Sequence, residues 1–149
     1  MTLSQDDIGR RFTGPSKTLT DAHFLAYSAL SGDTHPIHYD MEYAKTTHFK
    51  APVAHGLLLS GLMALGASDG QKALDGFAMI EQGCRFLKAV KVGDTVQPIF
   101  EIERLWESNS KTFCRVKTFL LKHDGETVAE GFHLYRILKL TDVVEGKNG

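Results

Sequence analysis

The sequence predicts one α+β domain in which a curved antiparallel sheet wraps around a central apolar helix. Three observations lead to this fold class. Helical patterns occupy the first half of the chain, an almost purely apolar stretch lies at residues 57–67, and four strand-like segments fill the second half. Helices followed by a run of strands are typical of α+β domains. We expect residues 1–140 to form this single domain and residues 141–149 to form a flexible C-terminal tail.

Length and composition are those of an ordinary globular protein. Of the 149 residues, 42% are hydrophobic and 23% are charged, and the chain is long enough for a sizeable core. The 17 basic and 18 acidic residues are scattered and leave a formal net charge of −1, so we expect no nucleic-acid or membrane partner. The amino terminus lacks the apolar run of a signal peptide, and a cytoplasmic location is expected. Cys84 and Cys114 are expected to be reduced thiols.

The first predicted elements are a short strand and a helix. Residues 10–18 predict the strand, and Thr20 is a suitable N-cap for a helix that ends at Gly32. A loop follows, after which residues 40–47 predict one or two further helical turns. Asp40 is expected to cap these turns, because an aspartate side chain accepts hydrogen bonds from the first amides of a helix.

A buried helix is predicted where His55-Gly56 is followed by "LLLSGLMALGASDG". Leucine, methionine and alanine leave this stretch almost no polar face, and a helix that is apolar all round is a buried helix. Its length of about 16 residues is below the roughly 20 residues that span a bilayer. Other parts of the protein must therefore surround it.

Four antiparallel strands are predicted to enclose this helix. They cover residues 77–90, 95–106, 111–123 and 127–139. The turns between them contain Gly-Asp at residues 93–94, Ser-Asn-Ser at residues 108–110, and Asp-Gly at residues 124–125. The Asp-Gly pair is the clearest hairpin signal of the three.

The stretch "SGDTHPIHYD" at residues 31–40 holds the first candidate site. Pro36 disfavours the helical region for His35, so this stretch forms an ordered turn. Such a turn can aim the side chains of Asp33 and His38 at one point. A carboxylate and an imidazole that converge on one water are suited to general acid/base chemistry near neutral pH.

Two other interpretations of this stretch stay open at the level of the residues. Asp33 and His38 can form a helix-to-turn cap with a surface histidine. The ligand types that first-row metals favour are also present, at Asp33, His35, His38 and Asp40. Pro36 lies inside the His-x-x-His spacing and prevents the helical register in which that spacing converges on an ion. A metal site is therefore the weaker hypothesis.

The second candidate site is His55-Gly56, where the apolar helix begins. The first amides of a helix have no partner within it and carry partial positive charge. A glycine also lets a substrate approach the backbone closely. The Gly56 amide is therefore a candidate donor to a carbonyl oxygen that gains negative charge during a reaction. For His55, a hydrogen-bonded role in shaping the start of the helix is favoured over direct catalysis.

Together the two clusters resemble the signature of the MaoC-like dehydratases and (R)-specific enoyl-CoA hydratases, the hydratase 2 group. That signature is a tyrosine, then Asp-x-Asn-Pro-Leu-His-x-Asp, then alanine and phenylalanine, then Pro-Ile-x-His-Gly. The matching residues here are Tyr27, Asp33, Pro36, Ile37, His38, Asp40, Ala44, Phe49, Pro52, Val53, His55 and Gly56. Downstream, "RFLKAVKVGDTV" at residues 85–96 resembles the family's strand that ends in Gly-Asp-Thr. One position differs, because His35 stands where the family usually has asparagine.

The resemblance implies a hot-dog fold, in which a curved antiparallel sheet wraps around one long helix. It implies reversible hydration of trans-2-enoyl-CoA thioesters to (R)-3-hydroxyacyl-CoA, with Asp33 and His38 as the catalytic pair and Gly56 as the oxyanion donor. His35 and His55 would bind substrate or support the pair. No metal or redox cofactor is implied, since coenzyme A or an acyl carrier protein arrives as part of the substrate. A homodimer or a higher homo-oligomer is expected.

Two other functions are compatible with this fold. A hot-dog thioesterase would hydrolyse the same kind of acyl-CoA, and a noncatalytic subunit would only bind an acyl thioester. The intact Asp-x-x-x-x-His with the following His-Gly argues against the thioesterase. The histidine at position 35 would permit the altered chemistry of a noncatalytic subunit.

Overall fold

A computed structural model of the protein describes residues 3–138 and contains one six-stranded antiparallel sheet with short helices packed on one face. The strands are β1 (Arg11–Thr13), β2 (Lys17–Thr18), β3 (Phe77–Phe86), β4 (Thr95–Ser108), β5 (Lys111–Lys122) and β6 (Thr127–Ile137). Their order in the sheet is β1-β4-β5-β6-β3, with β2 also paired to β4. The α-helices are α1 (Asp21–Ser31), α2 (Met41–Thr46) and α3 (Gly56–Leu62). The predicted tail at residues 141–149 lies outside the described residues.

The four long strands confirm the predicted run of antiparallel strands, with ends that differ by up to a few residues. Along β5 every second side chain is buried, as expected where one face of a sheet covers a core. Cys114 on this face pairs with Tyr135 of β6, which is also buried. The turn at Asp124-Gly125 is confirmed as well, and Gly125 has a φ of 89°, a conformation that favours glycine.

The core lies between this face of the sheet and the helices. Its largest buried side chains include Leu19, Phe24, Met63, Phe100, Ile102 and Leu120. Cys114 is fully buried, Cys84 is half-buried, and both are free thiols. Burial raises the pKa of the Cys114 thiol to about 12, so this side chain acts as apolar filling. Within residues 3–138, none of the helices combines the length and the apolar character that a membrane crossing requires.

The helices α1 and α2 begin and end where the sequence predicts. Thr20 is the N-cap residue of α1, and Gly32 ends this helix in the left-handed conformation with a φ of 79°. Phe24 and Ser28, four residues apart, form the buried face of α1. Asp40 precedes α2 and caps it through its side chain, as predicted. These caps define the loop between α1 and α2 that carries the first candidate site.

The central apolar helix is shorter than the sequence predicts. α3 has seven residues, and the chain then continues through the 3-10 helices Leu65–Ala67 and Gln71–Leu74. A competing tertiary contact accounts for the difference. The Asp69 Oδ1 accepts a hydrogen bond from the Thr13 N–H at 2.9 Å, and the Asp69 N–H donates to the Thr13 carbonyl at 3.0 Å. These bonds tie the segment to β1, while the glycines in the stretch lower its helical preference.

The apolar stretch is also not buried on every side. Leu59 and Met63 are 3% and 2% exposed, whereas Leu57 is 65% exposed. The prediction of a helix that its own chain surrounds on all sides is therefore wrong. One face of α3 packs on the core, and Leu57 lies on the surface of the chain.

Candidate active site

Backbone hydrogen bonds join the two predicted clusters into one site. The Val53 N–H donates to the Ile37 carbonyl at 3.2 Å, and His38 Nδ1 lies 2.7 Å from the Val53 carbonyl oxygen. The next residue, Ala54, donates its N–H to the Val90 carbonyl at 2.8 Å, in the segment between β3 and β4. The turn that carries His38 is thereby fixed beside the start of α3.

Asp33 and His38 face each other as the sequence predicts. The distance between Asp33 Oδ2 and His38 Nε2 is 3.7 Å. His38 belongs to the 3-10 helix Pro36–His38, and Asp33 lies in the loop after α1, where its Oδ1 accepts a hydrogen bond from the His35 N–H at 3.2 Å. The Asp33 side chain is 51% exposed and the His38 side chain is 11% exposed. A water or a substrate oxygen can therefore reach the carboxylate while the protein holds the imidazole.

The Val53 carbonyl determines which nitrogen of His38 is available for chemistry. A carbonyl oxygen only accepts hydrogen bonds, so His38 Nδ1 must carry the proton that it donates. In the neutral ring the lone pair is then on Nε2, the atom that faces Asp33. His38 thus presents a proton acceptor on the side of the carboxylate.

His55 packs directly against this pair. It is 2% exposed, and its ring stacks on the His38 ring with centroids 3.6 Å apart and planes 19° apart. Its Nε2 lies 3.0 Å from Ser28 Oγ and 3.3 Å from the Asp33 carbonyl oxygen. Burial lowers the pKa of His55 and the neighbouring His38 adds to this effect, although the hydrogen bond to the Asp33 carbonyl opposes it. The net effect favours a neutral imidazole.

Gly56 is the first residue of α3. In the described part of the chain, the His55 side chain makes no capping hydrogen bond to the first amides of this helix. A Cβ on Gly56 would lie 3.0 Å from Cε2 of Phe86, so a side chain at this position would press on that ring. A cavity of about 330 Å³ opens here. Its lining includes Phe49, Val53, Gly56, Leu59, Phe86 and Val90.

His35 stands apart from the pair of Asp33 and His38. Its Nδ1 accepts a hydrogen bond from the Ile37 N–H at 3.2 Å, so this atom belongs to the turn itself. The ring centroids of His35 and His38 are 6.4 Å apart, and the His35 ring meets Tyr43 edge-on with centroids 5.4 Å apart. The structure brings Asp33, His38 and His55 together, whereas it leaves the exposed His35 at the rim of the site.

Ser28 is a site residue that the sequence argument did not identify. It is 6% exposed, and its hydrogen bond to His55 joins residues that are 27 positions apart. The available signal was its position four residues after Phe24, on the buried face of α1. A buried hydroxyl needs a polar partner, but spacing along α1 does not say which residue supplies it.

The residues of this site also have the chemistry of metal ligands. Ligand atoms of Asp33, His38 and His55 lie within 4.8 Å of one another. His35 and Asp40 instead direct a side-chain atom to backbone N–H groups of their own turns. Imidazole lone pairs lie in the plane of the ring, and the stacked rings of His38 and His55 hold theirs in two nearly parallel planes, with the ring centroids 3.6 Å apart. A tetrahedral site needs convergent lone pairs, so the arrangement favours acid/base chemistry.

Comparison with known proteins identifies the family. The model of the MaoC like domain matches residues 4–122, and the chain belongs to this MaoC-like family. The (R)-specific enoyl-CoA hydratase of Aeromonas caviae is 33% identical over 116 residues, which are 78% of this chain and 84% of that protein. The (R)-specific enoyl-CoA hydratase of Rhodospirillum rubrum is 33% identical over 81 residues, which are 54% of this chain and only 56% of that protein.

A solved structure shows the same fold. The (R)-hydratase from A. caviae involved in PHA biosynthesis superposes with a TM-score of 0.78 at 28% identity, and the match covers 91% of this chain and 100% of that chain. The comparisons confirm the family and the hot-dog fold that the sequence resemblance implied. They also support the hydratase or dehydratase class of enzyme.

Proposed function

We propose that the protein catalyses the reversible addition of water to trans-2-enoyl thioesters, which gives (R)-3-hydroxyacyl thioesters. The observation that carries this proposal is the pairing of Asp33 Oδ2 with His38 Nε2 at 3.7 Å beside the start of α3. The names of both relatives, (R)-specific enoyl-CoA hydratase, support the substrate class and the configuration of the product.

The proposed mechanism divides the reaction between an amide and the acid/base pair. The Gly56 N–H donates a hydrogen bond to the thioester carbonyl oxygen, which draws electrons from the double bond and makes C3 electrophilic. Asp33 and His38 hold one water, and the lone pair on His38 Nε2 accepts a proton as the water oxygen bonds to C3. The pair then returns one proton to C2. The hydroxyl on C3 and the hydrogen on C2 add up to one water, so the protonation of the enzyme is unchanged.

The cavity beside Gly56 supports an acyl-binding role for this part of the molecule. Its volume of about 330 Å³ is at the lower end of the range of small-molecule sites, and leucine, valine and phenylalanine line much of it. His35 and His55 belong to the proposal as residues that bind substrate or support the pair. Coenzyme A or an acyl carrier protein enters with the acyl group, and the proposal requires no further cofactor. The cytoplasmic location stays a prediction.

Crotonyl-CoA and longer trans-2-enoyl-CoAs provide the direct test. Hydration removes the absorbance of the conjugated thioester and yields 3-hydroxyacyl-CoA without free thiol, and chiral separation should find the (R) product. The rate should be the same after dialysis against EDTA, because the proposed mechanism uses only side chains and a backbone amide. Repeating the assay with enoyl groups on an acyl carrier protein identifies the preferred carrier.

The competing functions give different products in the same assay. A thioesterase releases free coenzyme A, and a noncatalytic binding subunit leaves the substrate unchanged. Loss of the conjugated absorbance without free thiol supports the proposal, whereas either of the other results contradicts it.

The proposal also includes assembly into a homodimer or a higher homo-oligomer. β3 forms one edge of the described sheet, and two of its side chains, Met79 and Ile80, are 49% and 54% exposed. An edge strand presents unpaired backbone groups that another strand can bond. A second copy that pairs through β3 would extend the sheet and cover these apolar side chains.

A further inference from the structure

We propose that His55 is a positioning residue for the acid/base pair: its ring face fixes the plane of the His38 imidazole, and its Nε2–H holds the main chain at Asp33. This inference rests on the proposed function, because it says how the same site is kept in its reactive geometry. It assigns His55 neither contact with the substrate nor a role in proton transfer.

The His38 ring must be held in one plane for Nε2 to face Asp33. One hydrogen bond, from Nδ1 to the Val53 carbonyl, anchors the ring at 2.7 Å. A single anchor at one edge leaves the ring free to tilt about the bond, and a tilt moves Nε2 away from the line to Asp33 Oδ2. The His55 ring lies flat against the His38 ring, with centroids 3.6 Å apart and planes at 19°. This contact restricts the tilt.

His55 also contacts Asp33, the other member of the pair. The Asp33 carbonyl oxygen lies 3.3 Å from His55 Nε2. Because this oxygen only accepts hydrogen bonds, Nε2 carries the proton of the neutral His55 ring, and Ser28 Oγ lies 3.0 Å from the same nitrogen. One side chain therefore contacts both halves of the pair, His38 through its face and the Asp33 backbone through its edge.

The two contacts of His55 require the chemistry of an imidazole. His55 Nδ1 is buried and has no hydrogen-bond partner among the described residues. A buried polar atom without a partner is costly, so its retention calls for a compensating role. Phenylalanine would stack on His38 but could not donate to Asp33, and glutamine would donate but could not stack. Imidazole does both, and burial lowers the pKa of His55, which disfavours a second positive charge beside His38.

The experiment compares His55→Gln with wild type in a cycle with His38→Ala. The glutamine side chain can place its amide N–H where His55 Nε2–H lies. The substitution therefore keeps the donor to Asp33 and removes the ring that stacks on His38. We expect kcat for crotonyl-CoA to fall about 10- to 100-fold with KM changed less than threefold, because a misplaced catalytic group slows the chemical step. In the His38→Ala background the same substitution should change kcat less than twofold, since the ring to be positioned is then absent. An equal fall in both backgrounds would overturn the proposal.

Two further variants separate positioning from general loss of structure. His133→Gln removes another histidine that is 2% exposed, which lies on β6 and outside the segments that carry the pair, and should leave kcat within twofold. His55→Phe keeps the stacked ring and serves if His55→Gln does not fold. It should retain kcat within about fivefold, whereas His55→Ala, which removes both contacts, should lower kcat at least about 10-fold. Equal falls in these two variants would overturn the role of the ring.

A spectroscopic readout does not depend on turnover. Long-range ¹H–¹⁵N spectra of the imidazoles should show His38 with its proton on Nδ1 in both proteins, with sharp ring signals in the wild type and broadened signals in His55→Gln, because the His38 ring can then tilt about its bond to Val53. An unchanged His38 spectrum in His55→Gln would overturn the positioning role even if the protein hydrates crotonyl-CoA. The predicted spectral change in a protein that hydrates no enoyl thioester would contradict the proposed function and support the positioning role.

Discussion

The hydrogen bond from His38 Nδ1 to the Val53 carbonyl sets what each member of the pair can do. It leaves the His38 Nε2 lone pair free to exchange a proton with a water. Asp33, whose side chain is 51% exposed, faces that nitrogen at 3.7 Å and can hold the same water. The proposed mechanism gives the two groups different roles, so the loss of either one should slow the chemical step.

Removing the charge of Asp33 or the ring of His38 provides the first prediction. Asp33→Asn and His38→Ala should each lower kcat for crotonyl-CoA by about 10²- to 10⁴-fold, the usual contribution of a positioned acid or base. The melting temperature should change little for Asp33→Asn, because Asp33 is half-exposed, and should fall for His38→Ala, because that variant loses an 11% exposed ring and its bond to the Val53 carbonyl. Steady-state kinetics and thermal unfolding measure the two effects.

Asp40→Asn is the matched control for these variants. Asp40 lies in the same segment, but its Oδ1 caps α2 by accepting a hydrogen bond from the Tyr43 N–H at 2.9 Å. Asparagine caps helices about as well as aspartate, so turnover should stay near the wild-type value. Near-normal hydration by both Asp33→Asn and His38→Ala would show that the pair does not carry the chemistry.

At this scale the sequence named Asp33, His38 and His55, but it did not give the contacts that join His55 to the pair. Asp33 and His38 are five positions apart on one turn, so local spacing was enough to bring them together. The contacts of His55 with Ser28 and His38 join residues 27 and 17 positions apart and exist only after folding. His35 shows the opposite case. Its position between Asp33 and His38 in the sequence predicted that it belongs to the site, whereas its hydrogen bond to the Ile37 N–H holds it at the rim.

At the scale of single elements, α3 matters mainly through its first residue. Gly56→Ala should lower kcat by about 10²-fold, because a Cβ 3.0 Å from Phe86 displaces either that ring or the amide proposed to bind the carbonyl oxygen. The free energy of unfolding should stay close to the wild-type value although kcat falls, because alanine itself favours the helix. Kinetics with crotonyl-CoA and urea unfolding give the two numbers.

Gly61→Ala is the control within the same helix. Within residues 3–138, no heavy atom outside its own helical backbone and chain neighbours lies within 4 Å of a Cβ built on Gly61. Alanine there should leave turnover unchanged and stabilise the protein by up to about 1 kcal/mol. If both glycine variants retain full activity, the Gly56 amide is not the oxyanion donor.

The same helix shows where element prediction from sequence failed. Apolar composition predicted a helix over the whole stretch from His55 to about residue 70. The structure ends the α-helix at Leu62, because Asp69 bonds to Thr13 of a strand that is 56 residues away. Composition measures how apolar a segment is, whereas the length of the helix depends on that distant partner. The strands were predicted more closely, since turn residues mark their ends within the sequence itself.

At the scale of the whole molecule, a buried histidine in the sheet links stability to pH. His133 is 2% exposed, its Nδ1 lies 2.8 Å from the Tyr135 hydroxyl, and burial lowers its pKa from 6.5 to about 4. The unfolded chain therefore binds a proton more readily than the folded chain between these two values. Stability should be lost as the pH falls from 6.5 towards 4, by up to about 1.4 kcal/mol per pH unit from this residue.

Urea unfolding between pH 7.5 and 4.5 measures this slope. In His133→Gln the contribution of this residue is absent, so the unfolding free energy should fall less steeply with decreasing pH even if the variant is less stable at pH 7.5. His55 contributes in the same direction, because burial also lowers its pKa. An identical slope in wild type and His133→Gln would show that His133 is not held neutral by burial.

The exposed edge of the sheet determines how the chain is expected to assemble. β3 lies at one end of the strand order, with Met79 and Ile80 half-exposed. Lysine at both positions should weaken a β3-to-β3 dimer by at least about 10-fold, since each interface would then bring like charges together. Ile8→Lys is the control, because Ile8 is 44% exposed and precedes β1 at the opposite edge. Sedimentation equilibrium should find dimers for the wild type and this control. A monomeric wild type, or a lysine variant that dimerises normally, would show that β3 does not form the dimer interface.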